Sequence, residues 1–236
     1  MDEVLWLRPV RAGQVLRCCV SVLTARISRS KPELGFVQFR HELIDDLGKS
    51  VMTQTNSVMF ARRGHVDRGP DRATQKKTEW AASTSAASTA MPTIWTEKVL
   101  GEHIGVGATE FSSESIVTFA RAYDPQPFHV DEAAAKTGPF GALAASGWHT
   151  AAAWMNGYVQ ACHRSGAVPG RLVSITDLRW LRPAYAGDTV AWDFTPVGVS
   201  SDDAAGPIVT SRNGGTNQNG VRVFEFAAKM AMTHPQ

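Results

Sequence analysis

A repeated segment constrains the fold of this chain more than any other feature of its sequence. The segment is Trp6-Leu7-Arg8-Pro9, followed by Ala12-Gly13. It recurs as Trp180-Leu181-Arg182-Pro183, followed by Ala186-Gly187. Four identical residues and an Ala-Gly pair at the same offset are hard to obtain by chance. The sequence therefore predicts two copies of one structural unit, at least one of them partial, within 236 residues.

Strand-like runs follow each copy in a similar layout. Apolar and β-branched residues fill 15–24, 36–44 and 51–60 after the first copy, and 190–194, 208–211 and 224–232 after the second. Alternation with a period of two is typical of antiparallel strands that bury one face. We expect hairpin turns at Gly48 and in the asparagine- and glycine-rich run 213–220.

The second copy also carries the signals of helices. Ser112 or Ser113 is expected to cap a short helix, Asp131 another, and Ser146 a long one. In the long helix the spacing i, i+3, i+4, i+7 predicts a buried stripe made of Ala151, Ala152, Met155, Tyr158, Val159 and Cys162. A helix beside antiparallel strands predicts the α+β class.

The chain is predicted to have three parts. Residues 1–63 hold only the strand half of a domain, 64–90 form a flexible linker, and 91–236 form a complete domain. The linker contains Gly-Pro, scattered charges and an alanine-, serine- and threonine-rich run without an apolar period. Two origins remain open: a fused tandem pair whose first member lost its front half, or an open reading frame with a misassigned start.

Composition argues against several kinds of partner. A net charge of +2 is too small to indicate nucleic acid or a membrane surface, and no apolar run approaches the length of a membrane span. The three cysteines, at Cys18, Cys19 and Cys162, fit neither a zinc spacing nor a disulfide framework. A reducing, cytoplasmic setting is the simplest expectation.

One segment brings an acid and an imidazole together. Asp124 and His129 are five residues apart, with Pro125 and Pro127 between them. The prolines fix φ and remove backbone donors, which predicts a stiff turn rather than the interior of a helix. Such a turn suits a general acid and a general base that act on one group. On the chemistry alone, a plain turn with a surface histidine remains the alternative.

A resemblance to a known family favours the first interpretation. Asp124-Pro-Gln-Pro-Phe-His129 resembles the Asp-x-Asn-Pro-x-His active-site pattern of the (R)-specific enoyl-CoA hydratases, with Gln126 in place of asparagine. The segments 131–136, 140–150 and 180–188 resemble the same family.

From about Trp95 to about Met232 the chain is thus similar to a MaoC-like dehydratase. The resemblance implies a hot-dog fold, in which a curved antiparallel sheet wraps a long helix. Because a partial copy precedes the complete one, a double-hot-dog-like arrangement is expected.

The resemblance also implies a reaction and a site. The reaction is reversible hydration of an α,β-unsaturated acyl-CoA thioester, with Asp124 as base, His129 as proton donor and the N–H of Gly147 on the thioester oxygen. The substrate-binding residues expected beside them are Tyr123, Phe128, Ser146, Trp148 and Arg182. Neither a metal nor a cofactor is implied, since coenzyme A enters with the substrate. A homo-oligomer formed by sheet pairing is expected.

Some alternatives stay open. Trp148 stands where many relatives have methionine, and it either narrows an acyl pocket or lies in the core. His149 is expected to be a surface or packing residue, and Arg179 and Arg182 either reach coenzyme A phosphates or are solvated.

Two other functions are also compatible with the sequence. One is a non-catalytic subunit that binds an acyl thioester or a partner chain. The other is a thioesterase, against which stands the absence of Asp and Glu from 148–162.

Overall fold

The computed structural model describes residues 1–63, 88–202 and 206–232. Two compact units emerge, Met1–Arg72 with Leu172–Leu178, and Ala73–Arg171 with Arg179–Gln236. Residues 64–87 of the predicted linker lie outside the described residues. In the described ranges, no helix has the length and apolar character needed to cross a membrane.

The first unit is an antiparallel sheet. Its strands are β1 (Glu3–Trp6), β2 (Arg17–Ile27), β3 (Leu34–Ile44), β4 (Ser50–Ala61) and most of β6 (Arg171–Trp180), in the order β2-β3-β4-β1-β6. Gly48 makes the turn between β3 and β4 at a φ of 74°, as predicted. Beside it, Asp45 Oδ1 accepts the N–H groups of Leu47 and Lys49 at 3.0 and 2.8 Å.

Strand β6 joins the first unit through β1. Val4 lies opposite Ile175 and Leu5 lies opposite Ser174 in an antiparallel register. The predicted domain ranges placed all of β6 with the second copy, whereas residues 172–178 cluster with the first unit. The pairing of these residues with β1 accounts for the difference.

The second unit combines a four-stranded antiparallel sheet with helices, as expected for the α+β class. The strands are β5 (Ile104–Glu110), β7 (Thr189–Asp202), β8 (Gly206–Asn217) and β9 (Arg222–Ala231), in the order β9-β8-β7-β5. The helices are α1 (Ser113–Tyr123), α2 (Pro127–Val130), α3 (Glu132–Thr137) and α4 (Gly147–Arg164), preceded by a single 3₁₀ turn, Glu97–Val99.

Helix α4 packs on the sheet through a stripe that differs from the predicted one. Ala152 is exposed, and Ala151, Met155 and Val159 are only half-buried. The buried residues are Thr150, Trp154, Tyr158, Ala161 and Cys162. The largest side chain decides the rotation of the helix: the Trp154 indole donates to the carbonyl of Asp193 at 2.9 Å and stacks on Tyr158 at 5.5 Å.

Two glycines predicted to form a turn lie in a strand instead. Strand β8 continues through Gly214 and Gly215 to Asn217, and the turn follows at Gly220 with a φ of 74°. A Cβ on Gly215 would lie 2.3 Å from the ring of Trp192, and one on Gly214 would lie 2.2 Å from the carbonyl oxygen of Phe224. Close packing therefore explains these glycines, and that part of the turn prediction was wrong.

Candidate active site

Asp124 lies at the end of α1. The helix begins directly after Ser112, whose hydroxyl accepts the N–H of Ser115 at 3.1 Å. It ends where the N–H of Asp124 donates to the carbonyl of Ala120 at 2.8 Å. Directly after Asp124 the chain turns at Pro125. Because proline fixes φ, the backbone that carries the carboxylate is rigid.

His129 lies in a short helix rather than in the predicted turn. Pro127 opens α2 at its first position, where a proline needs no hydrogen-bonded N–H and its fixed φ is already helical. The stiff turn therefore extends only through Pro125 and Gln126. One helical turn later the imidazole of His129 is buried, with 4% of its surface exposed.

The carbonyl of Ala144 orients the ring of His129. Nδ1 of His129 lies 2.7 Å from that oxygen, and because a carbonyl only accepts, Nδ1 carries the hydrogen. Ala144 is itself fixed by a β-bridge to Tyr185. Nε2 of His129 is consequently the nitrogen that faces the carboxylate.

Both oxygens of Asp124 accept hydrogen bonds. Oδ2 accepts the hydroxyl of Ser146 at 2.7 Å, and Oδ1 accepts the amide of Gln126 at 2.9 Å. The side chain of Asp124 is 20% exposed, so the carboxylate is held but remains accessible. Ser146 was predicted as a substrate-binding residue and as the cap of α4. It does cap α4, by accepting the N–H of Trp148 at 3.2 Å.

A gap separates the acid from the imidazole. Oδ2 of Asp124 and Nε2 of His129 are 3.7 Å apart, which is too long for a direct hydrogen bond. One water oxygen at about 2.8 Å from both atoms fits this spacing. The pair can thus hold a water between a proton acceptor and a group that gives or takes a proton.

Gly147 is the first residue of α4, where N–H groups have no carbonyl within the helix to bond and the helix dipole is positive. A Cβ at this position would lie 2.5 Å from the ring of Trp180. The indole of Trp180 also donates to the carbonyl of Gly147 at 2.8 Å. Only glycine brings the start of the helix this close to the indole.

Aromatic rings surround the pair. The ring of Phe128 lies 4.6 Å from that of His129, and Phe140 stacks on His129 at 6.0 Å. Trp148 is 43% exposed and meets Trp180 edge-on at 5.5 Å. A place for Trp148 in the core, one of the two alternatives, is therefore wrong.

The other predicted residues lie in more exposed positions. Tyr123 is 73% exposed, with its ring 4.9 Å from Phe119. Arg182 is exposed and donates to the carbonyl of Leu181 at 2.8 Å, whereas Arg179 lies 3.7 Å from Glu225. Of the predicted substrate-binding residues, Phe128 and Ser146 thus directly contact the Asp124–His129 pair.

His149 proves to be a packing residue, one of the two expected outcomes. Its ring stacks on Phe119 at 4.5 Å and meets Phe111 edge-on at 5.0 Å. Burial lowers the pKa of His149 below its ordinary value of 6.5. Its buried Nδ1 has no hydrogen-bond partner among the described residues.

Sequence reasoning missed two participants, Gln126 and Ala144. Gln126 was noticed only as a replacement for asparagine. Its position two residues after Asp124 was the available signal for the hydrogen bond between them. In the described part of the chain, no three His, Cys, Asp or Glu side chains gather as metal ligands.

Comparison with known proteins identifies the family. The model of the MaoC-like domain family matches residues 96–218, a little over half of the 236-residue chain. The chain therefore belongs to the MaoC-like domain family. No curated protein matches it significantly.

Solved structures support the assignment. The MaoC-like dehydratase from Rhodospirillum rubrum is 31% identical, with a TM-score of 0.53, and the match covers 61% of this chain and 99% of that one. A MaoC domain protein dehydratase from Chloroflexus aurantiacus is 14% identical, with a TM-score of 0.76, and the match covers 100% of this chain and 76% of that one.

A third match concerns both copies of the repeat. A Mycobacterium tuberculosis protein with a double hot-dog fold is 14% identical, with a TM-score of 0.69, over 98% of this chain and 74% of that one. Similarity at this identity concerns the fold alone. The hot-dog fold is thereby established, with an N-terminal partial copy in a double-hot-dog-like chain.

Proposed function

We propose that this protein catalyses the reversible hydration of an α,β-unsaturated acyl-CoA thioester. The observation that carries the proposal is the 3.7 Å gap between Asp124 Oδ2 and His129 Nε2, near the start of α4. Membership of the MaoC-like family and the similarity to the Rhodospirillum rubrum dehydratase support the same class of reaction.

Asp124 is the base in this scheme. Its Oδ2 takes a proton from the water held in the gap while the water oxygen bonds to the β-carbon of the substrate. The hydrogen bonds from Ser146 and Gln126 keep the carboxylate in one orientation. A fixed base avoids the cost of reorientation during the reaction.

His129 supplies the second proton. With Nδ1–H bonded to Ala144, protonated Nε2 gives its proton to the α-carbon as the double bond becomes single. The proton on Asp124 then returns to His129, which restores the pair, and the reverse sequence dehydrates a 3-hydroxyacyl thioester.

The N–H of Gly147 stabilises the charge that develops on the thioester oxygen. It lies at the positive end of the α4 dipole, and a donor of this kind is typically worth on the order of 10²–10³ in rate. Trp148, next in the chain, borders the acyl group, and Arg182 is a candidate contact for the coenzyme A phosphates. In this scheme coenzyme A enters with the substrate and no other cofactor takes part.

The test is to incubate the full chain with trans-2-enoyl-CoA thioesters of several chain lengths. Loss of the ultraviolet absorbance of the conjugated thioester without release of free thiol supports hydration. Release of thiol identifies a thioesterase. No change with any chain length, in a protein that still binds acyl-CoA, identifies a non-catalytic binding subunit.

A further inference from the structure

One face of the sheet in the first unit carries apolar side chains that no other described residue of the unit covers. We name it the apolar face and define it by Cys18, Val20 and Val22 of β2, Phe39 of β3, and Val58 and Phe60 of β4. Val22 lies opposite Phe39, and Val20 lies opposite His41, two residues along β3. Residues opposite each other in an antiparallel pair share a face, as do alternate residues along a strand.

The apolar face is exposed. Val20 is 55% exposed, Val22 62% and Phe60 46%, and none of the six defining residues is buried. Three strands of this length span on the order of 500 Å² in projection. His41, Gln54 and Asn56 share this face and occupy part of the area. An apolar patch of about a few hundred Å² on a protein surface is often a functional site.

Charge is confined to the opposite face of the same strands. Arg17, Arg26, Arg40 and Glu42 alternate with the residues of the apolar face and therefore point the other way. No Asp, Glu, Lys or Arg lies on the apolar face of β2, β3 and β4, whose residues are all described. An uncharged face can meet an identical face without repulsion between like charges.

The internal repeat explains why such a face exists. Aligning Trp6 with Trp180 places Cys18 and Val20 at the positions of Trp192 and Phe194 in β7. In the second unit those two residues are buried against α4: a Cβ on Gly157 would lie 3.2 Å from Trp192, and Phe194 stacks on Tyr158 at 5.6 Å. Within the described residues the first unit has no helix.

The side chains on the apolar face indicate what covers it. The first unit has Cys18 and Val20 at the positions where the second unit has Trp192 and Phe194. A helix as far from the sheet as α4 would therefore leave a gap above these smaller side chains. The small side chains of β2 instead suit a second sheet, which packs at about 10 Å. We propose that the apolar face docks on the apolar face of a second copy of this chain, forming a two-layered sandwich about a two-fold axis.

The first test measures the mass of the full chain in solution, by light scattering or sedimentation, for two variants of strand β2. Val22→Asp places a charge on the apolar face, whereas Ser21→Asp places the same charge one residue away, on the opposite face beside Arg40. We expect the wild type and Ser21→Asp to have at least twice the chain mass of 25.5 kDa, and Val22→Asp to have half the wild-type mass.

The second test does not depend on a disruptive variant. Cys18 lies on the apolar face and Cys19 on the opposite face, and both thiols are exposed in the single chain. A maleimide reagent is applied to Cys19→Ser, which retains Cys18, and to Cys18→Ser, which retains Cys19. Labelling of Cys18 is expected to slow as protein concentration rises, while labelling of Cys19 stays constant.

Three results overturn the proposal. One is a wild-type mass of 25.5 kDa at every concentration, because a monomer would mean that a partner of different chemistry covers the apolar face. Another is an equal response of the mass to Val22→Asp and Ser21→Asp. The third is an assembly in which Cys18 is labelled as fast at high concentration as at low. The proposal does not depend on the hydratase function, and neither test measures activity.

Discussion

The hydroxyl of Ser146 donates a 2.7 Å hydrogen bond to Oδ2 of Asp124 and so ties the start of α4 to the carboxylate at the end of α1. The hydroxyl oxygen of Ser146 also accepts the N–H of Trp148 and so caps the helix. One side chain therefore both begins the helix and orients the proposed base.

Ser146→Ala is expected to affect stability and activity together. Loss of the cap costs about 1 kcal/mol of folding free energy. Loss of a hydrogen bond to a charged group, typically about 1.5–3 kcal/mol, is expected to lower kcat roughly tenfold or more. The matched control is Ser112→Ala, which removes the cap of α1 and should reduce stability alone. Equal kcat values for the two variants would contradict the role of Ser146.

Gly147→Ala is expected to destabilise the protein by about 1–3 kcal/mol, the usual range for overpacking. The cause is steric, because the new Cβ would lie 2.5 Å from the ring of Trp180. Denaturant unfolding of Gly147→Ala, Trp180→Leu and the double variant forms a cycle. The alanine should cost less in the leucine background; an unchanged cost would show that Trp180 is not the obstacle.

His149 is expected to make stability depend on pH. Burial lowers its pKa in the folded protein, so the unfolded chain binds the proton first as pH falls through 6.5, and the folded state loses stability. His149→Phe keeps a ring against Phe119 and removes the titration. Its unfolding free energy should fall less than that of the wild type between about pH 7.5 and about pH 5.5.

The control for this prediction is His163→Phe, which removes an exposed histidine from the last turn of α4. It should keep the pH dependence contributed by His149. If His149→Phe and the wild type lose the same stability over this interval, His149 does not titrate as its burial implies.

Trp148→Met is expected to widen the range of acyl chains. The exposed indole stands beside Gly147 and against Trp180, where a flexible methionine leaves more room. The ratio of kcat/KM for long over short enoyl-CoA substrates should rise in the variant. An unchanged ratio would remove Trp148 from the acyl pocket.

Local features of this structure followed from the sequence. The caps at Asp131 and Ser146 were predicted, and Ser112 was one of two residues predicted to cap α1, because a capping side chain bonds an N–H two or three residues away. Gly48 was predicted for a similar reason, since the turn requires a positive φ. The α+β class followed from apolar periods within single segments.

Features that depend on tertiary packing did not follow. The rotation of α4 is decided by the contact of Trp154 with Asp193, 39 residues away, rather than by the alanine spacing. Gly214 and Gly215 resembled turn residues because their neighbours across the sheet were unknown. In the candidate site, Asp124 and Ser146 are separated by 22 positions in the sequence, which hid their hydrogen bond in the same way.

The turnover of Asp124→Asn on an enoyl-CoA substrate tests the central claim most directly. Asparagine keeps the shape of the side chain and cannot accept the proton from water, so hydration should fall by on the order of 10²-fold or more while the fold is retained. The matched control is Asp131→Asn, which retains a capping residue at the start of α3 and should keep wild-type turnover. Near-normal hydration by a folded Asp124→Asn protein would contradict the account.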